Sequence, residues 1–250
     1  MFPYEDPIDV AELLELEEPL KLKAREIKEL LGPQVSEDRR EKIAAVAKER
    51  TYGVIPVLEG IYDRGNLAAV LRSAEAMGYQ EVHFIDTQEG HKTSRRVTQG
   101  ADKWVDLKQW ENPGECIKEL KKRGYKICVT HLEAAKPLRE IDFTEPTALV
   151  FGNELEGVSE EMVGLADERC IIPMLGFVES YNISVAAALA LYEAMGQRVE
   201  KYGAQGDLSP EELEILEAHF LIRALKTADL LLPALVRRGR GSVEESPDLR

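Results

Sequence analysis

From Thr51 to about residue 201 the chain alternates between two spacings of apolar residues. Short apolar runs occur at 54–60 (VIPVLEG), 81–86 (EVHFID), 104–107 (WVDL), 125–132 (YKICVTHL), 147–152 (TALVFG) and 170–174 (CIIPM). They are short and bounded by turn residues, which predicts strands. Between them, apolar positions recur every three to four residues and predict helices over 66–78, 113–123, 159–166 and 183–201. Strands alternating with amphipathic helices predict a parallel α/β sheet.

Outside this body the pattern changes. Residues 1–18 are acidic, PLKLKAREIKELL predicts a short helix stopped at Gly32-Pro33, and Ser36 opens a capped helix that runs to Arg50. Near the other end, LSPEELEILEAHFLIRALKTADLLL predicts a final helical segment with Ser209 as its cap and Pro210 at its first position. The expected organisation is an extension over 1–50, acidic then helical, a compact domain over 51–201, and a C-terminal helical tail over 202–250.

Composition narrows the class. A hydrophobic content of 44% in 250 residues is ordinary for a soluble protein, and no apolar run is long enough to span a bilayer. The opening MFPYEDPIDV is acidic, unlike a secretory signal, so a cytoplasmic location is expected. Cys116, Cys128 and Cys170 have no C-x-x-C spacing and read as buried thiols, with neither a disulfide framework nor a metal site. The formal net charge of -14 opposes long-range capture of a polyanion, which leaves RNA binding to local basic clusters such as HKTSRR and KKRGYK. Each cluster alone reads as a solvated helix face.

Three stretches carry candidate chemistry. In DRGNLAAVLRSAEAMGY (63–79), Leu67, Val70, Leu71, Ala74 and Met77 share one helix face, leaving Arg72 on the polar side, with Asn66 as the expected N-cap and Gly78 as the stop. In ALVFGNELEGVS, Gly152 directly follows a buried strand and Glu154 lies in the next turn, where ligands of open α/β sheets sit and a glycine lets a cofactor approach. The simpler reading is a turn, with Ser159 capping the following helix. In PMLGFVESYNISVAAALALYE, Ser180 and Asn182 precede a helix whose small residues Ser184, Ala186, Ala187 and Ala188 imply a close backbone neighbour. Neither a dinucleotide fingerprint, a P-loop nor a G-x-S-x-G elbow occurs, and the four histidines show no metal-ligand spacing.

Together, in this order and at these separations, the three stretches resemble the SpoU-like (TrmH-type) branch of the SPOUT RNA methyltransferases. NLAAVLRSA is similar to the first family motif, LVFGNELEGVS to the second and IPMLGFVESYNISVAAA to the third, over about residues 51–201. VTQGADKWVDL and the helical tail look like the tRNA ribose methyltransferases of the branch. Tyr181 stands where the family commonly has leucine.

The resemblance implies an α/β, parallel-sheet SPOUT fold with a C-terminal deep trefoil knot, flanked by N- and C-terminal helices. Backbone crossing in such a knot would account for the small residues after Asn182. It implies S-adenosylmethionine held near Thr130, His131 and Leu132, at Gly152, and at Ile172, Met174 and Leu175. It further implies a homodimer that methylates a ribose 2′-hydroxyl of structured RNA, tRNA before rRNA, at a D-loop guanosine. Arg72 would act at that hydroxyl, as activated base or as organiser of the RNA phosphate, beside the partner subunit's cofactor; Asn66, Glu154, Ser180 and Asn182 would orient the arginine, ribose and cofactor loop. Lys92, Arg95 and Arg96 are the expected phosphate contacts, and no metal is required. The alternatives are an rRNA enzyme; a non-catalytic knotted RNA-binding homologue, for which the net charge argues; and a metabolic α/β enzyme, which the absent phosphate-binding glycines oppose.

Overall fold

The computed structural model describes residues 1–61, 63–86, 103–133, 135–153 and 155–244. The first described elements are β1 (Ile8–Asp9), α1 (Val10–Leu14), β2 (Lys21–Leu22), α2 (Ala24–Leu31) and α3 (Glu37–Lys48). They are followed by β3 (Val54–Glu59), α4 (Arg64–Ala76), β4 (Glu81–Ile85), β5 (Asp106–Trp110), α5 (Pro113–Lys122), β6 (Lys126–Thr130) and β7 (Lys136–Pro137). Next come β8 (Thr147–Phe151), α6 (Glu160–Leu165), β9 (Glu168–Ile171), α7 (Ile183–Tyr202), α8 (Pro210–Ala224) and α9 (Ala228–Glu244).

Seven of the strands form one sheet in the order β5-β4-β3-β8-β6-β9-β7, and every pair in it is parallel. Side chains alternate between its faces. Val54 and Leu58 of β3, with Leu149 and Phe151 of β8, pack with Leu71 of α4 and Ala187, Ala190 and Ala194 of α7. Ile55 and Val57, with Ala148 and Val150, face Ile117 and Leu120 of α5 and Met162 of α6 on the other side. Burial on both faces is why these central strands read as continuous apolar runs. β9 lies between β6 and β7, two strands consecutive in sequence.

The chain divides into two compact units. One holds Glu49–Asp207 and Met1; the other holds Phe2–Lys48 with Leu208–Arg250. The two terminal segments thus share one unit, in which α2 packs on α8 and α9, and α3 on α8. There Tyr4 stacks on the His219 ring with centroids 3.9 Å apart, and Lys28 pairs with Glu217 at 2.5 Å.

Several elements depart from the expected pattern. The helix expected over 66–78 starts at Arg64, because Asp63 rather than Asn66 caps it: the Asp63 carboxylate accepts from the Asn66 amide at 2.9 Å. Gly78 does end it, at φ +83, where an added Cβ would fall 2.3 Å from the Glu49 carbonyl oxygen. β5 begins at Asp106 instead of Trp104; as an edge strand alternating half-buried and exposed residues, it lacks a continuous apolar run. β9 likewise starts at the polar Glu168. Lys21–Leu22, expected inside a helix, pairs antiparallel with Ile8–Asp9. The final helical segment is two helices, α8 ending where Leu225 turns extended (φ -100, ψ 117).

A buried charge cluster fastens the β4–β5 edge to α5. Glu81 is fully buried and accepts from Arg123 Nη1 at 2.6 Å, Arg123 Nη2 at 2.7 Å and His83 Nε2 at 2.6 Å, with Lys108 Nζ at 3.0 Å. Trp110 Nε1 donates to His83 Nδ1 at 3.0 Å, which places the proton of the neutral ring on Nε2. Burial pushes the Glu81 carboxyl up, but the bonds from Arg123 and His83 outweigh it and hold it well below the usual carboxylate range. Burial also pulls the His83 imidazole down, against Glu81.

Candidate active site

The carboxyl ends of three neighbouring strands, β8, β6 and β9, open onto one cavity of about 550 Å³. Loops after parallel strands converge there because every strand points the same way. Thr130, His131 and Leu132 leave β6, Gly152 follows β8, Ile172 and Met174 follow β9, and Ser180 approaches from the loop before α7; all line the cavity. Leu175 is not among the lining residues and its side chain is fully exposed, at 102%.

Local chemistry shapes each wall. The Thr130 hydroxyl donates to the Val150 carbonyl at 3.0 Å, and the His131 amide donates to the Cys170 carbonyl at 3.0 Å, tying the β6 loop to both neighbours. At Gly152 an added Cβ would fall 2.1 Å from the Gly157 carbonyl carbon and 2.2 Å from the Val158 nitrogen. The close approach that requires glycine is therefore to the loop's own backbone, folded back by the Asn153–Gly157 bridge, which supports the turn reading of this position. Asn153 makes that turn with its own side chain. Its Oδ1 accepts from the Leu155 amide at 2.7 Å, while its Nδ2 donates to the Gly60 carbonyl at 2.7 Å, joining the turn to the β3–α4 loop. One step further, the buried Glu59 carboxylate accepts from the Ser159 amide at 2.9 Å and its hydroxyl at 2.6 Å, and Ser159 in turn caps α6.

The third stretch meets the first. Asn182 caps α7, its Oδ1 accepting from the Ser184 amide at 2.9 Å and hydroxyl at 2.6 Å, and its Nδ2 donates to Asn66 Oδ1 at 3.2 Å. Arg72 lies on the exposed side of α4, outside the cavity lining; among the described residues no hydrogen bond or ion pair holds its guanidinium. Glu154, Lys92, Arg95 and Arg96 lie outside the described residues.

Residues 53–192 match the SpoU rRNA methylase family. The chain belongs to that family. It is 42% identical over 166 residues to the tRNA (guanosine(18)-2′-O)-methyltransferase of Thermus thermophilus, covering 66% of this chain and 86% of that protein. The A. aeolicus TrmH/SpoU tRNA modifying enzyme superimposes with a TM-score of 0.68 at 34% identity, covering 76% of this chain and 98% of its own. The SpoU methyltransferase AviRb from Streptomyces viridochromogenes, solved with the cofactor AdoMet, gives a TM-score of 0.52 at 28% identity over 64% or less of each chain, namely 61% of this one and 62% of that one. As a SpoU family member the protein is an RNA ribose methyltransferase using S-adenosylmethionine.

The cavity residues fit that cofactor. Its volume lies within the range of about 300–1,000 Å³ typical of small-molecule sites. Leu132, Ile172, Met174 and Ile183 supply an apolar wall for a base, while Glu133, Glu156 and Glu179 supply negative charge for a cationic ligand. Among the described residues, no hydrogen bond engages the amides of Met174 through Tyr181, which leaves them for a ligand or solvent. The three glutamates were not legible as site residues, because an exposed Glu in a loop is the commonest surface residue. Asn153 carried a usable signal, an Asn directly before a turn at a strand end.

Proposed function

We propose that this protein is a homodimer that methylates the ribose 2′-oxygen of guanosine 18 in the D-loop of tRNA. The observation that carries the reading is the Asn182–Asn66 bond at 3.2 Å, which fastens the helix bearing Arg72 to the loop bearing Ser180 beside the cavity. The relatives named for tRNA guanosine 18 favour tRNA over rRNA.

The cofactor, when bound, supplies an electrophilic methyl group on a sulfonium. Residues around Thr130–Leu132, Gly152 and Ile172–Met174 would hold it, with Leu175 exposed beside them. Ser180 and Asn182 orient the loop that faces the ribose. Arg72, as a cation, binds at the 2′-oxygen and stabilises the negative charge that develops as the hydroxyl proton passes to solvent water. Proton acceptance by Arg72 itself would first require the substrate and partner to strip its solvent, because desolvation disfavours the charged form. Glu154, Lys92, Arg95 and Arg96 complete the expected set.

Two further features belong to this reading. The insertion of β9 between β6 and β7, two strands consecutive in sequence, supports a trefoil knot formed as the chain leaves β9. The exposed residues Val185, Leu189, Tyr192 and Val199 form one stripe along α7 and support a dimer face. No helix among the described residues is long and apolar enough to cross a membrane. A cytoplasmic location accords with a tRNA substrate.

The test is transfer of labelled methyl from S-adenosylmethionine to unmodified tRNA and rRNA, followed by nuclease mapping. Label on the ribose of guanosine 18, lost with Arg72→Ala, is expected. Label confined to rRNA, or on a base, would overturn the reading.

A further inference from the structure

Arg50 is 1% exposed and holds Glu75 twice: Nη1 donates to the Glu75 carbonyl at 3.0 Å and Nη2 to its carboxylate at 2.5 Å. Glu75 sits on α4 three residues beyond Arg72. Side chains at that spacing are neighbours on a helix, and an aspartate or glutamate there pairs with arginine. The Glu75 side chain is only one-third exposed, at 33%, so an unengaged carboxylate would be a partly desolvated anion next to the guanidinium. Among the described residues, nothing pairs with Arg72.

We propose that Arg50 is a positioning residue for methyl transfer: by engaging the Glu75 carboxylate it keeps the Arg72 guanidinium free for the ribose. The inference rests on the assignment of Arg72 above. It goes beyond that assignment in naming what prevents Arg72 from being neutralised by its own helix. The bond to the Glu75 carbonyl also caps the last turn of α4, where a cation meets the helix C-terminus favourably. A purely structural Arg50 would therefore show itself as lost stability, and the electrostatic role must be separated from it.

The separation comes from a pair of variants. In Arg50→Met the freed Glu75 carboxylate turns to Arg72, and kcat for methyl transfer to tRNA falls about two- to three-fold, the population left free when such a helix pair competes for the group. KM for S-adenosylmethionine stays unchanged, because the cavity is untouched. In Arg50→Met/Glu75→Gln the carboxylate is gone, and kcat recovers although the melting temperature stays as low as in the single variant. Recovery of kcat without recovery of stability supports the proposal. Failure of kcat to recover in a double variant that remains folded by circular dichroism overturns it. Arg72→Ala is run alongside: if it transfers methyl at the parent rate, the assignment of Arg72 has failed instead. Arg50→Lys, which keeps the charge but loses the double contact, is expected to fall between parent and Arg50→Met.

Discussion

Asn182 and Asn66, 116 residues apart in sequence, are joined by one hydrogen bond of 3.2 Å from Nδ2 to Oδ1. The same Asn182 side chain caps α7 through its other atom, accepting from Ser184 at 2.9 Å. One amide thus starts the helix and fastens it to α4, because it carries a donor and an acceptor on one carbon.

The two roles come apart by substitution. Asn182→Asp keeps a capping oxygen and loses the donor to Asn66, so its melting temperature stays near the parent's while methyl transfer falls by about ten-fold, the worth of one well-placed hydrogen bond. Asn182→Ala also loses the cap and about 1 kcal/mol of stability. Thermal melts run beside transfer assays read both; equal activity in the parent and Asn182→Asp would refute the link to Asn66.

Gly152→Ala should disrupt the cavity wall. Its Cβ would meet the Gly157 and Val158 backbone at 2.1–2.2 Å, so the turn must shift. Cofactor affinity by calorimetry is expected to fall by at least about ten-fold, as backbone displacement at a site commonly costs. At Gly176 an added Cβ meets nothing within 4 Å, and Gly176→Ala is expected to fold with the parent's melting temperature.

Acid should weaken the β4–β5 edge in two steps. The folded-state pKa of His83 lies below its ordinary value, burial being the main cause, so the fold binds fewer protons than the unfolded chain, and stability falls as pH drops below about 6.5. Glu81 is also depressed: its contribution is fully present above the unfolded value of about 4.3 and is lost as pH falls below it. Urea titrations from pH 8 to 4 should show the loss of stability, and His83→Gln should remove the part that begins near 6.5. A parent profile flat between pH 7 and 5 would contradict this.

If Arg72 serves the cofactor site of a second subunit, Arg72→Ala and Gly152→Ala should restore each other at S-adenosylmethionine concentrations too low to load Gly152→Ala. Mixing Arg72→Ala with Gly152→Ala under exchange gives hybrid dimers with one intact site, and about a quarter of parent activity returns when half the dimers are hybrids. Leu189→Glu, in the exposed stripe of α7, should yield monomers by sedimentation and abolish transfer. An active monomer would remove the dimer from the mechanism.

Much of this protein was readable along the chain. The apolar runs gave the central strands because residues such as Val54–Leu58 and Thr147–Phe151 are buried on both faces of the sheet, and burial leaves its record in composition. The spacing of the three motifs gave the family, and of the residues expected to hold the cofactor Thr130, His131, Leu132, Gly152, Ile172 and Met174 line one cavity while Leu175 does not. Caps and edges were less legible. Asp63 and Asn66 are equally good capping types, and the choice between them depends on where the β3–α4 loop ends its turn. The β5 and β7 edges carry polar residues that no periodicity marks. What only the tertiary structure decided are the relations across sequence distance: Arg50 on Glu75, Asn153 on Gly60, Asn182 on Asn66, and the joining of the first and last segments in one unit. Local periodicity records whether a residue is buried, whereas the partner of a polar group is set by which strand ends the sheet order brings together.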